Sequence, residues 1–243
     1  MDSYMEKMVL RACNCDMGGL WRPGAVLETM QESAGGDCDR LELGRPVLDA
    51  MGIAWVASRY RVELRRAPRI REEICVETFA MAPRHLFYPR MFVFRDAAGE
   101  VVGGAYSLWL LMDVNTRRAV RGGEAFVRLP QNADAVPPVA APGTVRPLEA
   151  PAEVHDFTPS YCDFDLNGHV NNTRYLDWCC NALGVEALRD RYIAAFDINY
   201  DSEVLPGARL RTELAREGDR FTFCGYEGEK RCFAIGGELA PRG

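Results

Sequence analysis

The sequence predicts an α+β fold of two tandem domains, each an antiparallel sheet wrapped around one central helix. Three observations predict it. A helix-spaced segment followed by a run of strand-like segments occurs twice along the 243 residues. A proline-dense stretch separates the two occurrences. The halves also share a register, with Pro68 and Pro206 each following the first long strand of its half. The expected units are residues 1–128, a linker over 129–152, and residues 153–243.

In the first half, a short segment ending at Cys15-Asp16 leads into Arg22–Ala34. There Val26, Leu27, Met30 and Ala34 recur at helical spacing. Strands are expected at Ile53–Arg65, Ile74–Met81, His85–Arg95 and Val101–Asp113. The first is rich in β-formers, and Asp96-Ala97-Ala98-Gly99-Glu100 marks a hairpin between the last two. Between Leu129 and Ala152 stand Pro130, Pro137, Pro138, Pro142, Pro147 and Pro151, which exclude helix and central strand. In the second half, Cys162-Asp163 precedes a helix over Asn172–Leu183, with Tyr175, Leu176, Cys179, Ala182 and Leu183 on one face. Strands follow at Ala194–Val204, Arg209–Glu217, Arg220–Glu227 and Arg231–Leu239, with turn signals at Gly218-Asp219 and Glu227-Gly228-Glu229.

Composition narrows the function classes. At 48% hydrophobic and 26% charged, with a mean hydropathy of -0.19, the chain reads as globular and ordered. Its longest apolar run, Tyr106–Met112, falls far short of the roughly 20 residues that span a bilayer. The start of the chain carries acids early and no apolar stretch after them, so no secretory signal is expected. The net charge is -6, with the first half near balance and the acid excess in the second, which argues against a nucleic-acid partner. Nine cysteines, an odd count without C-x-x-C spacing, are expected as free thiols in a reducing cytoplasm, with no metal or organic cofactor. Arginine outnumbers lysine 27 to 2, which we attribute to a GC-rich bacterial gene.

The stretch from Asp163 to Trp178 carries the chemistry. Asp165, Asn167 and His169 alternate with Leu166 and Gly168 immediately before the second helix. On an extended backbone they would point to one side and converge near a helix N-terminus, where free N–H groups favour negative charge. That suits attack of water on a thioester: N–H donors steady the oxyanion, and a carboxylate or imidazole takes the proton. The structural alternative is that Asp165, Asn171 and Asn172 cap the helix and His169 is an interior histidine.

The run from Asp163 to Trp178 resembles the signature D-x-D-x-N-x-H-V-N-N-x-x-Y-x-x-W of acyl-ACP thioesterases. Ala54–Arg59, Ser107-Leu108-Trp109, Thr116-Arg117-Arg118 and Tyr200–Val204 are similar to further segments of that family. The resemblance implies a double hot-dog fold and hydrolysis of fatty acyl-ACP to free fatty acid, terminating fatty acid synthesis. It implies a catalytic network of Asp165, Asn167, His169 and Glu203, in which Glu203 activates water with His169 assisting. Val204 stands where the family usually has cysteine, so no thiol nucleophile is expected there. The first-half counterpart, Cys15–Pro23, lacks the Asn and His, and the Pro68/Pro206 register sets Arg65 opposite Glu203. One active site per chain is therefore expected, with the first half shaping the acyl pocket through helix residues such as Met30.

Arg59, Arg61, Arg65, Arg66, Arg69 and Arg71 form a basic stripe that could steer an acidic acyl carrier protein, or simply protect a solvated strand edge. The competing functions are an acyl-CoA thioesterase on the same fold, a non-catalytic acyl-binding lipid sensor, and a hydratase. Monomer and homodimer both fit a fused pair of hot dogs.

Overall fold

The computed structural model describes residues 1–150 and 152–242; Pro151, from the expected linker, and Gly243 lie outside the described residues. The first half holds β1 (Tyr4–Val9), α1 (Pro23–Arg40), α2 (Arg45–Ala50), β2 (Ile53–Leu64), β3 (Glu73–Ala80), β4 (Phe87–Asp96), β5 (Val101–Asp113) and β6 (Ala119–Val120). The second holds β7 (Ala152–Phe157), α3 (Arg174–Leu188), β8 (Arg191–Tyr200), β9 (Leu210–Glu217), β10 (Arg220–Glu227) and β11 (Lys230–Pro241). Pro23 opens α1 at a position whose N–H has no helical partner anyway, and Arg40 lies in its last turn, against the negative end of the dipole.

The strands form one antiparallel sheet in the order β1-β3-β4-β5-β2-β8-β11-β10-β9-β7, with β6 added beside β5. The second half runs through the same order in reverse, so the halves meet as mirror positions across the β2–β8 pair. There Arg59–Glu63 pair with Ala195–Asn199, and Tyr60 opposes Ile198. Those two residues are equivalent under the Pro68/Pro206 register. Helices α1 and α3 lie on one face over a continuous core: Trp21, Met30, Tyr60, Phe92 and Phe94 join Tyr175, Trp178, Phe196, Phe223 and Phe233.

The expected linker is not a loose spacer. Residues 138–148 run along the outer face of the sheet and are bonded to it. Asn199, 1% exposed, accepts the Val145 N–H at 2.7 Å and donates to the Gly143 carbonyl at 2.9 Å. The Gly143 N–H reaches Asp197 at 3.3 Å and the Leu148 N–H reaches the Thr222 hydroxyl at 3.1 Å. Gly104 leaves room for Pro138, because a Cβ there would come within 2.8 Å of the proline ring. Proline density thus marks a strap whose backbone bonds go to sheet side chains rather than to a ladder. Asn199→Leu strands two backbone groups under the strap. It is expected to lower stability by about 2–3 kcal/mol, read from the urea midpoint at unchanged slope.

Strands β1 and β7, at the two ends of the sheet, are absent from the sequence expectations. Both are short and carry charges, Glu6 and Lys7 in one and Glu153 and Asp156 in the other, as exposed edges do.

Candidate active site

Residues 165–169 do not run extended, as the alternation suggested, but close a tight turn. The Asp165 N–H donates to the His169 carbonyl and the Gly168 N–H to the Asp165 carbonyl, both at 3.0 Å. Gly168 makes this possible at φ 76°, in the left-handed region that a side chain disfavours. One Asp165 oxygen accepts the Asn167 N–H at 2.8 Å and the other accepts the Asn171 amide at 3.2 Å. Asp165 therefore builds the turn instead of capping α3. Asn171 holds the residue that precedes α3, accepting the N–H and hydroxyl of Thr173 at 2.9 and 2.8 Å.

His169 places Nδ1 3.2 Å from the Val170 carbonyl. A carbonyl only accepts, so this contact puts a proton on Nδ1, and in the neutral imidazole the lone pair is on Nε2. The Val170 N–H donates to the Val204 carbonyl at 2.9 Å, which ties the end of the turn to the residue beside Glu203. Arg117, from the β5–β6 turn, pairs with Glu203. The Tyr175 hydroxyl is pushed up by burial first, then by Cys232, and then by the fields of Asp165 and Glu203. The Val170–Val204 bond thus sets the turn that carries Asp165 and His169 beside the segment that carries Glu203.

A clamp sets the loop on the sheet. The Asn172 amide donates to the Tyr60 hydroxyl of β2 at 3.0 Å, and its carbonyl accepts the Tyr200 hydroxyl of β8 at 2.6 Å. Burial raises both phenols well above their ordinary range, so they remain neutral donors. Tyr200→Phe leaves the Asn172 carbonyl without its bond. The expected cost is about 1–2 kcal/mol, read by thermal unfolding.

Asn167 faces a cavity of about 320 Å³ in the first half. The cavity lies between α1, α2 and the sheet, with Ala34, Leu48, Trp55, Tyr88 and Trp109 among its walls. Met30 is not on that wall: it is 2% exposed within the main core, one residue from Gln31, which does line the cavity.

The first half repeats the turn without its chemistry. The Asp16 N–H donates to the Leu20 carbonyl at 2.8 Å, Asp16 accepts the Gly18 N–H at 2.8 Å, and Gly19 has φ 76°. Gly18 therefore stands for Asn167 and Leu20 for His169. The Trp21 N–H bonds to the Pro68 carbonyl where Val170 bonds to Val204. The first-half connection is two residues longer, so Ala67 takes the place of Glu203, not Arg65 as the uniform register implied. Asp16 is held by Arg242 at 3.2 and 2.5 Å.

The basic stripe is dispersed over the outer face of β2 and the connection that follows it. Arg59 and Arg61 project from the outer face of β2, opposite the buried Tyr60 and Val62, and Arg61 is paired with Glu63 and Asp197. Arg66 is paired with Glu72 and Asp96. Arg65 and Arg71 are exposed in the β2–β3 connection, and Arg69 bridges Leu20 of the first-half loop. Arg117 was missed by sequence reasoning, although Thr116-Arg117-Arg118 pointed to its segment. Tyr60 and Tyr200 gave no signal beyond that of ordinary strand aromatics.

Among the described residues, no helix is long and apolar enough to cross a membrane, and no cluster of three His, Cys, Asp or Glu could hold a metal. The nine cysteines are free thiols.

Comparison with known proteins bears on the family and the fold. The chain is 24% identical over 223 residues to an oleoyl-acyl carrier protein thioesterase of Coriandrum sativum, covering 83% of this chain and 59% of that protein. It is 29% identical over 160 residues to a dodecanoyl-[acyl-carrier-protein] hydrolase of Cinnamomum camphora, covering 62% and 41%. The chain thus spans less than two thirds of the length of these relatives. The fold matches the crystal structure of an acyl-ACP thioesterase from Bacteroides thetaiotaomicron, with TM-score 0.89, 23% identity and 98% of each chain covered. It also matches the 12:0-ACP thioesterase from Umbellularia californica, with TM-score 0.85, 21% identity, and 99% and 98% covered. The models of the acyl-ACP thioesterase N-terminal and C-terminal domains match residues 1–128 and 148–229, and with both halves matched in order the chain belongs to the acyl-ACP thioesterase family.

Proposed function

We propose that this protein hydrolyses fatty acyl-ACP thioesters through one active site, at the second-half turn. The observation that carries the reading is the position of Asn167. It sits in the Asp165–His169 turn, whose end is tied by the Val170–Val204 bond to the segment of Glu203, and it also lines the apolar first-half cavity. A thioester held there would lay its acyl chain in the cavity with its carbonyl at the polar turn.

In this reading water attacks the thioester carbonyl, its proton passes to Glu203 or to Nε2 of His169, and the C–S bond breaks. The products are a fatty acid and the carrier thiol. Asp165 holds the turn, Asn167 positions the thioester, and Arg117 orients Glu203. Nothing in the site supplies a thiol nucleophile at position 204, which is valine, so water attacks directly and no acyl-enzyme forms. The acidic partner is the acyl carrier protein. The enzyme would act in a bacterial cytoplasm, in keeping with its nine free thiols and its arginine-rich composition.

Thiol release from matched acyl-ACP and acyl-CoA substrates tests the reading. Higher kcat/KM on acyl-ACP supports it. Preference for CoA would make the chain an acyl-CoA thioesterase, and acyl binding without thiol release would make it a lipid sensor.

A further inference from the structure

The wall of the first-half cavity is not uniformly apolar. Arg90, on β4, lines it and is 6% exposed. One of its terminal nitrogens, Nη1, donates to Asp37 at 2.7 Å and to the Thr78 hydroxyl at 3.3 Å. The other, Nη2, meets the Cys38 sulfur at 4.0 Å. Burial pushes the Cys38 thiol up despite the guanidinium beside it, so the sulfur stays neutral and a weak acceptor. Buried N–H groups with so poor a partner favour a ligand that brings an oxygen.

The sheet order places this nitrogen relative to the reaction. The catalytic turn is clamped over β2 through Tyr60, and β4 lies two strands further across, beyond β5. Two strand spacings are about 10 Å, so Arg90 meets the distal part of a chain whose thioester is at Asn167, not its first carbons. Charge selects among oxygens. Asp37 is shared between Arg90 and Arg40, Asp49 on the cavity wall is paired with Arg45, and Asp39 lines the same wall. A carboxylate on the chain would carry its charge out of water into an apolar cavity beside Asp39, whereas a hydroxyl or keto oxygen can accept without adding charge.

Building on the acyl-ACP reading above, we propose that the cavity takes acyl chains bearing a neutral oxygen, a hydroxyl or keto group, in their distal half, and that Arg90 is the residue that selects them. A plain alkyl end in the same place covers Nη2 with carbon and leaves it the Cys38 sulfur as its weak acceptor.

The test compares acyl-ACP substrates of one chain length that differ in whether, and where, an oxygen stands. Wild type is expected to show kcat/KM about 10- to 100-fold higher for a distal hydroxyl or keto chain than for the plain chain, the range of a hydrogen bond to a charged donor. In Arg90→Met that ratio falls to about one. Equal or better use of plain chains by wild type, or a ratio unchanged in Arg90→Met, would overturn the proposal. Should Arg90→Met fail to fold, inhibition of wild type by the free acids decides. Distal hydroxy acids are expected to inhibit at about tenfold lower concentration than plain ones, and equal inhibition overturns the proposal. Absence of thiol release from every acyl-ACP, oxygenated or plain, would bring down the hydrolase reading and this inference with it. Turnover of plain chains without preference brings down this inference alone.

Discussion

Glu203→Gln is expected to lower kcat on acyl-ACP by about 10²- to 10⁴-fold, the usual contribution of a positioned base, with little change in KM. The substitution keeps the size and shape of the side chain and removes its ability to take a proton. Glu203 is half-exposed and its ion partner Arg117 is more exposed still, so their pair contributes little to stability. Loss of activity at unchanged unfolding temperature is therefore the expected signature. His169→Gln should lower the rate in the same range, because Nε2 loses its lone pair while the contact to the Val170 carbonyl can be remade by an amide. Steady-state thiol release beside thermal unfolding measures both. Full activity in Glu203→Gln would show that the proton goes elsewhere.

Asp37→Ala is expected to destabilise the protein by about 3–5 kcal/mol, a large fraction of the stability of a typical domain. Asp37 is 1% exposed near the end of α1. It accepts from Arg40 at 3.0 and 2.7 Å and from Arg90 at 2.7 Å. Removing the carboxylate leaves the Arg90 guanidinium buried without its counterion, and that uncompensated charge dominates the cost. Arg40 is 39% exposed and also reaches Asp2, so Arg40→Ala should cost about 1 kcal/mol or less. Urea unfolding of the two variants separates the terms. Equal losses would mean that the buried pair is not what holds α1 to β4.

The contrast between the two residues shows what the sequence could carry. The candidate turn was legible because its parts are local: Asp165, Asn167, Gly168 and His169 lie within five positions, and Glu203 follows a strand whose start was readable. The helices and most strands were legible for the same reason, since periodicity is a local property. The cavity was not. Its walls come from α1, α2, β2, β4 and β5, and Gln31 lines it while the adjacent Met30 lies in the core. Arg90 reads as one more strand arginine until α1 brings Asp37 against it.

The register failed at a definable place. It holds at Tyr60 and Ile198 on paired strands, then slips by two residues in the connection after β2, where no ladder enforces it. Proline density marked the linker but not its course along the sheet, because proline reports that a segment cannot join a ladder, not where it lies. The arginine stripe scattered because strand alternation sent Arg59 and Arg61 to the outer face while the rest turned into a loop.

The central claim is that one of two matching turns is the active site. Thiol release from acyl-ACP by Asp165→Ala and Asp16→Ala tests it most directly, because the two aspartates make the same turn in equivalent places. Asp165→Ala is expected to lose activity by about 10²-fold or more through disorder of Asn167 and His169. Asp16→Ala should keep near wild-type kcat, with some loss of stability from the broken Arg242 pair. Equal loss in both variants, or loss in Asp16→Ala alone, would contradict the account.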